Sequence, residues 1–484
     1  MTFSSPARRA LTLSLIGATS LLAASAAQAE PLPSYDPAKA DQITQPNITD
    51  LAPFDPELRR IWAQHIGFDA FNYAVAPALL YQQMYALAID PADPQYVGFD
   101  RFNHGRDLAR PGYAAFKSPN ADTLYSNAWL DLTRGPVELD VPPTGSRYYT
   151  VNFQDFYGNA SNISTRTHGN DGGRYWIATT TWQGDVPAGV TLFRVTTPYV
   201  WILMRVLVSS EKDVPKATAL QDRFILKTLT PPTTPLAPGN VPKPDVDTPM
   251  GTLTILDWVE RNVGHPIGEE AYLHQFERIG VGGPIPLSEI EKDPPIVAGL
   301  DQAFKESRLV ARDVSRHSTP DVVNGWYLPI ALARYGFNFV KRAGHHMIGT
   351  GPNVAEENFA SVTNTDAAGV RLDGNTTRYT IRFDPPPPAN YFWSVTAYNL
   401  SNRELIPNPT GRYLIGDRTK GLRTAKDGSV TIQIQADPPK DKSNWLPVAK
   451  EPFYLIMRNQ GPKDEVLDGK WQPPGVEPVT AGKP

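Results

Sequence analysis

Apolar and polar positions change rhythm along this chain. Between residues 58 and 87 the apolar side chains Leu58, Ile61, Trp62, Ile66 and Phe68, then Leu80, Met84 and Leu87, recur at helical spacing. That period predicts a helix. Pro77 is expected to kink or split it, because its ring removes one hydrogen bond and crowds the preceding turn. From about 120 to 210 the pattern shortens to strand-like runs at 137–141, 148–153, 175–178 and 200–208, divided by Gly, Pro and Asp turns. Helical spacing returns in 212–230, 251–262, 267–279 and 298–314. A second strand-rich stretch holds runs at 379–383, 391–398, 430–435 and 453–458. The order is helices, β, helices, β. Strands and helices come in blocks, which argues against a doubly wound parallel sheet and predicts sandwich or barrel packing.

Composition sharpens that expectation. Proline supplies 48 of 484 residues, about twice the usual share, which favours strands, turns and ordered loops over long helices. Residues 231–249 hold seven prolines in nineteen positions, the signature of a semi-rigid spacer or surface crossover. Lys and Arg total 46 against 50 Asp and Glu, so the charge balance offers nothing to a nucleic acid. There is no cysteine, which excludes disulfides, thiolate nucleophiles and Cys-ligated metals. At the N-terminus, Arg8 and Arg9 precede an apolar run over 10–24 and the small-x-small triplet Ala27-Gln28-Ala29. This predicts a signal peptide over 1–29 and a periplasmic or secreted protein. The run is shorter than the roughly twenty residues needed to span a bilayer.

Familiar catalytic and phosphate-binding motifs are absent. There is no HExxH, no Gly-rich loop ending in Gly-Lys-Ser/Thr, no dinucleotide fingerprint and no nucleophile elbow. His345 and His346 are adjacent, which is poor ligand spacing. With Lys341, Arg342 and neighbouring glycines they read as a solvated loop or, less readily, an anion site. No metal or cofactor is expected.

Polar residues inside strand-like runs carry more information. Arg205 sits within the apolar stretch 200–208, where a guanidinium needs a carboxylate or several carbonyls to be buried. It serves either a structural ion pair or a ligand. Asn120 and Asp122 cap a turn into the strand from Thr123, Arg147 leads the next, and Asp155 follows it. If those strands are neighbours, Asp122, Asp155, Arg147 and Arg205 can converge. Paired aspartates would then allow acid/base or glycosidic chemistry, provided their environments separate their pKa values. Ordinary buried ion pairs are the competing reading. His168 lies in a polar loop over 159–173 suited to hydrogen-bonding a sugar or polar acid, or simply to turning the chain.

The segments 118–126, 135–142, 147–155 and 182–184 together resemble the N-terminal module of the DUF1254/DUF1214 proteins. Phe392-Trp-Ser394, Asn408-Pro-Thr-Gly-Arg-Tyr413, Asp427-Gly-Ser-Val430, Asn444-Trp-Leu-Pro447 and Trp471-Gln-Pro-Pro474 resemble the C-terminal one. The likeness spans roughly 57 to 476. It implies a mainly β chain with helical insertions, built on two jelly-roll-like β-sandwich domains, in an exported bacterial protein. It implies no catalytic set. The expected organisation is a signal peptide 1–29, an extended segment 30–56 and a DUF1254-like helical plus β domain 57–230. A Pro-rich linker 231–249, a helical connecting region 250–350 and a DUF1214-like β domain 351–484 follow.

The expected function is hydrolysis of a polar, carbohydrate-like or carboxylated small molecule. Asp122 and Asp155 are the catalytic candidates, and Arg147, Arg205, Asn120 and His168 the substrate-binding ones. The alternative is a non-catalytic carbohydrate-binding or envelope-associated interaction protein. Neither reading involves a nucleic acid or a membrane span, and neither specifies an oligomeric state.

Overall fold

The computed structural model describes residues 52–113, 117–317 and 322–479. The expected signal peptide, and the extended segment up to residue 51, lie outside the described residues. Helix and strand occupy nearly equal shares, 27% and 26%, and among the described residues no sheet closes into a barrel or jelly roll. The expectation of a mainly β chain with two jelly-roll-like sandwiches is therefore corrected. The reason is physical: the helices build a core of their own.

That core is organised by α1 (Pro56–Met84), a helix of 29 residues buried on nearly every side. Asp55 caps it by accepting from the backbone N–H groups of Glu57 and Leu58, with Pro56 in the first turn. Around α1 pack α2 (Pro249–Asn262), α3 (Pro294–His317) and α4 (Phe339–Ile348). Two glycines set the approach of α1 to α3. A Cβ on Gly67 would lie 2.8 Å from Leu300 Cδ2, and one on Gly299 would strike the carbonyl of Arg60. Phe71 and Phe304 then meet edge to face at 5.1 Å.

Pro77 does not split α1; the helix is continuous from residue 56 to 84. Proline has no N–H to give the carbonyl four residues back, that of Tyr73. The buried Arg342 of α4 takes that carbonyl with Nη2 at 3.1 Å. The guanidinium lies among the rings of Tyr73, Tyr157 and Phe339, 4.5–5.3 Å from their centroids. His345 and His346 share this helix and are buried, so the expected solvated loop is instead an amphipathic helix docked on α1.

The first module stacks two open sheets. One runs β1-β2-β8-β4-β5 through Asn103–His104, Thr123–Asp131, Tyr199–Leu207, Tyr149–Gln154 and Ala160–Ser164, all antiparallel. The other runs β7-β6-β3-β9 through Val190–Val195, Gly173–Thr179, Val137–Val141 and Ile225–Thr228. Alternation sends Leu124, Val151, Phe153, Ile202 and Met204 into their shared core. It sends Tyr125, Thr150, Asn152, Gln154, Asn162 and Arg205 to the opposite face.

The second module repeats the plan. Its larger sheet runs β10-β11-β12-β18-β14-β15 through Val322–Val323, Trp326–Tyr327, Asn358–Thr363, Phe453–Pro462, Ala389–Asn399 and Leu414–Gly416. The smaller runs β17-β16-β13-β19 through Trp445–Pro447, Val430–Gln435, Tyr379–Phe383 and Glu477–Pro478. Val395, Leu455, Met457, Ile381 and Ile432 fill the core between them. Ser394, Thr396, Arg458 and Gln460 point the other way, toward the polar face of the first module.

The Tyr73 carbonyl yields a test in denaturant unfolding. Arg342→Met is expected to cost about 3 kcal/mol, because it strands a buried carbonyl and empties an aromatic box. Adding Pro77→Ala supplies the missing N–H and should recover about 1 kcal/mol of that loss. No recovery in the double variant would show that the proline-freed carbonyl is not what Arg342 serves.

Candidate functional site

The six residues singled out from the sequence are distributed over structural tasks. Asn120 and Asp122 form the turn into β2, where Asn120 Oδ1 accepts from the Asp122 N–H at 2.8 Å and Tyr125 OH accepts from the Asn120 N–H at 2.8 Å. The buried Asp122 carboxylate accepts from Ser394 Oγ at 2.6 Å, across to the second module. Burial raises its pKa, opposed by that hydrogen bond and by Arg458. Asp155 closes the β4–β5 turn. It accepts from the N–H groups of Tyr157 (2.9 Å) and Asn159 (2.8 Å), Asn159 Nδ2 (3.1 Å) and Thr196 Oγ1 (2.9 Å). Its carboxyl is likewise raised by burial and held back by these donors.

The cations are occupied as well, although Arg205 Nη1 is buried without a hydrogen-bond partner among the described residues. Arg147 forks onto Asp213 at 2.6 and 2.7 Å and also reaches the carbonyl of Leu207 at 2.5 Å. Hydrogen bonding by Arg147 draws the Asp213 carboxyl down to about 2. Arg205 donates to the carbonyl of Gly351 at 2.8 Å and stacks over Tyr125 at 5.5 Å. His168 ends a four-residue helix, with Nδ1 2.7 Å from Thr167 Oγ1 and its ring against Tyr175 and Phe193. Partial burial lowers its pKa.

The expected convergence does not occur. Asp122 stands level with Val208, just past β8, while Asp155 follows Gln154, which pairs with Trp201. At about 3.3 Å per residue, the two carboxylates are on the order of 25 Å apart along the sheet. Paired strands do bring Arg205 beside Tyr125 and Thr150, but neither aspartate joins them.

A cavity of about 510 Å³ lies elsewhere, where α1, α3, the end of α4 and the first sheet meet. Phe71, Val75 and Leu79 of α1, with Trp201 and Phe304, give it apolar walls. Arg308, Arg312 and Arg403 also line it, and among the described residues none of the three is ion-paired with a carboxylate. Arg308 lies 4.1 Å over the Phe304 ring and donates to the carbonyl of Val246; burial lowers its pKa. Arg403 donates to the carbonyl of Ile348. Lys117 adds a fourth cation, bridged to Glu404 at 2.9 Å, and Asp247 is the acidic residue of the lining. His346, also in the wall, is pushed down to about 3 by burial and by Arg342 and His345 beside it, so it is neutral at neutral pH.

Guanidinium groups without carboxylate partners on an apolar wall attract an oxyanion, which their planar forks bind through two parallel hydrogen bonds. A smaller hollow of about 280 Å³ holds His265 and His274, each already bonded to a glutamate, Glu260 and Glu277. Among the described residues, no three His, Asp or Glu side chains gather as a metal site. Sequence reasoning passed over Arg308 and Arg312, although their spacing puts them on one face of a helix. What it could not show is that this face borders a hollow.

The geometry is that of an α+β chain with two paired-sheet modules joined by a helical layer, and comparison places it in a family. Residues 99–228 match the model described as a protein of unknown function, DUF1254, and residues 357–464 match its DUF1214 counterpart. The chain carries both domains and belongs to the DUF1254/DUF1214 proteins. The crystal structure of the VPA0106 protein from Vibrio parahaemolyticus aligns with 86% of this chain and 100% of its own, at 24% identity and a TM-score of 0.67. The two share the fold. An uncharacterised protein from Burkholderia cenocepacia aligns over 89% of this chain and 90% of its own, at 14% identity and a TM-score of 0.43. No curated protein matches.

The Arg147–Asp213 pair predicts a pH response. Because the folded-state pKa of Asp213 is depressed, its stabilisation is full above the ordinary carboxylate value of about 4 and is lost as pH falls through the folded one. Asp213→Asn should cost about 1 kcal/mol at pH 7 in urea unfolding, and nothing once the carboxylate is protonated in both states. An equal cost at both pH extremes would mean that packing, not charge, accounts for the loss.

Proposed function

We propose that this is a small-molecule-binding protein whose cavity holds an organic acid with an apolar body. The observation that carries the reading is the set of Arg308, Arg312 and Arg403 around one hollow, none of them ion-paired among the described residues, with Asp247 alone acting on Arg308 at longer range. An acid supplies the missing charge, and the walls of Phe71, Val75 and Leu79 suit its hydrocarbon part. This favours the non-catalytic alternative and keeps the carboxylated ligand expected from the sequence. Glycosidic hydrolysis would want two carboxyl groups opening into a common space, and neither Asp122 nor Asp155 borders this cavity. A saccharide fits the apolar walls less well than an acid does.

A periplasmic or secreted location is part of the proposal. Arg8, Arg9, the apolar run and Ala27-Gln28-Ala29 support it. No helix among the described residues is long and apolar enough to cross a membrane.

The reading is tested by calorimetric titration with unbranched carboxylic acids and with alcohols of matched length. The acids should bind at least about tenfold more tightly than the alcohols, and Arg308→Ala with Arg312→Ala should weaken them by about a hundredfold. Acids and alcohols binding alike, or acids indifferent to both arginines, would overturn it.

A further inference from the structure

We infer that the ligand is not a plain fatty acid but one carrying a second, uncharged oxygen, a hydroxyl or carbonyl, at the end remote from its carboxylate. The inference rests on the acid-binding reading and adds the part of the cavity that reading leaves unused. Beyond the arginines, the lining contains amides. Gln83 of α1 and Asn127 of β2 both face the cavity and both are only partly buried.

Gln83 is not free to rotate. The indole N–H of Trp129, itself fully buried, donates to Gln83 Oε1 at 2.6 Å. With the oxygen so occupied, the amide is oriented and its NH₂ is left to donate elsewhere. Asn127 makes no side-chain hydrogen bond to the described residues, and it stands on the outer face of the sheet, in register with Leu203 and Asn103. A held amide donor beside an unengaged amide makes a neutral hydrogen-bonding end.

Arg308 and Gln83 are separated along α1. Val75, Leu79 and Gln83 follow at four-residue intervals and form one stripe of α1 in the cavity. Phe71 meets Phe304, and Val75 packs with Ala311, so Arg308 lies between the levels of Phe71 and Val75 and Arg312 just past Val75, while Arg403 lies off α3, at the carbonyl of Ile348. Gln83 is eight residues past Val75, about 12 Å at 1.5 Å per residue. An unbranched chain of about eight to twelve carbons spans such a gap, and the cavity volume is within the range of small-molecule sites.

A site built to hydrogen-bond an oxygen rejects an analogue lacking it, because its own polar groups are then left unpaired. The test titrates wild-type protein, Gln83→Leu and Trp129→Phe with matched pairs of plain and ω-hydroxylated acids of about eight to twelve carbons. The α,ω-diacids form a third series. Wild type should prefer the hydroxy acid over the plain acid by about tenfold at the best length. Gln83→Leu should abolish that preference while leaving the affinity for the plain acid within about twofold, which also shows that the variant is folded. Trp129→Phe keeps Gln83 but releases its amide, and should reduce the preference.

Equal binding of plain and hydroxy acids by wild type overturns the inference, as does a preference that survives Gln83→Leu. A diacid outranking the hydroxy acid at every length overturns the assignment of a neutral end. In each of these outcomes the plain acid still binds through the arginines, so the acid-binding reading stands. If no acid binds at all, that reading fails and takes this inference with it.

Discussion

Two sheets drawn from distant parts of the chain meet here through their polar faces, and that seam fixes where everything else sits. Its centre is Glu357, wholly buried, whose carboxylate accepts from Tyr148 OH at 2.7 Å, Ser164 Oγ at 2.9 Å and Arg166 Nε at 2.8 Å. Farther along, Tyr398 OH donates to the carbonyl of Pro119 at 2.6 Å and Arg458 to that of Ser118 at 2.9 Å. An apolar seam could slide; directional bonds with buried charges cannot, since each lost partner leaves a desolvated group unpaired. The loop before Glu357 is held by the same means. Asn152 and Gln154 donate to the carbonyl of Pro352, and Arg205 to that of Gly351. Gly351 has φ +84° and rests on Leu203 and Trp201 so closely that a Cβ would come within 2.7 Å of Leu203 Cδ2. Gly349 and Thr350, just upstream, are cavity wall. The shape of the hollow is thus a consequence of the seam.

The arginines differ in how each charge is answered. Arg147 has a carboxylate. Arg342 has three aromatic rings and a carbonyl released by a proline. Arg205 has a carbonyl and a tyrosine face. Burial makes such answers necessary, because a desolvated guanidinium without them costs several kcal/mol. Arg308 and Arg403 also reach carbonyls, and Arg308 a phenyl face, but with Arg312 they border a hollow. Their incomplete neutralisation is tolerable while water fills the space and favourable once an anion replaces it.

Much of the fold was legible. The strand blocks, the long helix over 58–87 and the helical stretch between the modules follow from periodicities of two and of three to four residues, which local sequence displays directly. The resemblance to the DUF1254/DUF1214 proteins rests on motifs that survive as written. Closed jelly rolls did not follow, because strand alternation reports that a face is buried, not whether the sheet edges meet. Pro77 misled because the remedy for its missing N–H is Arg342, more than two hundred residues away. The site was less legible still. Asp122, Asp155, Arg147 and Arg205 stood out as polar residues in apolar runs, and the seam and turns account for that conspicuousness. Arg308, Arg312 and Gln83 are ordinary on a helix surface, and only the packing of α1 against α3 and the first sheet makes that surface the wall of a hollow.

The cavity beside α1 is proposed to take an acid through guanidinium groups that no carboxylate pairs. A crystal structure of the protein grown with a saturated unbranched acid tests it most directly. The carboxylate oxygens are expected within hydrogen-bonding distance of Arg308 and Arg312, with the chain lying along Val75 and Leu79 toward Gln83. An acid bound elsewhere, or lodged in the cavity with its carboxylate turned away from both arginines, would contradict it.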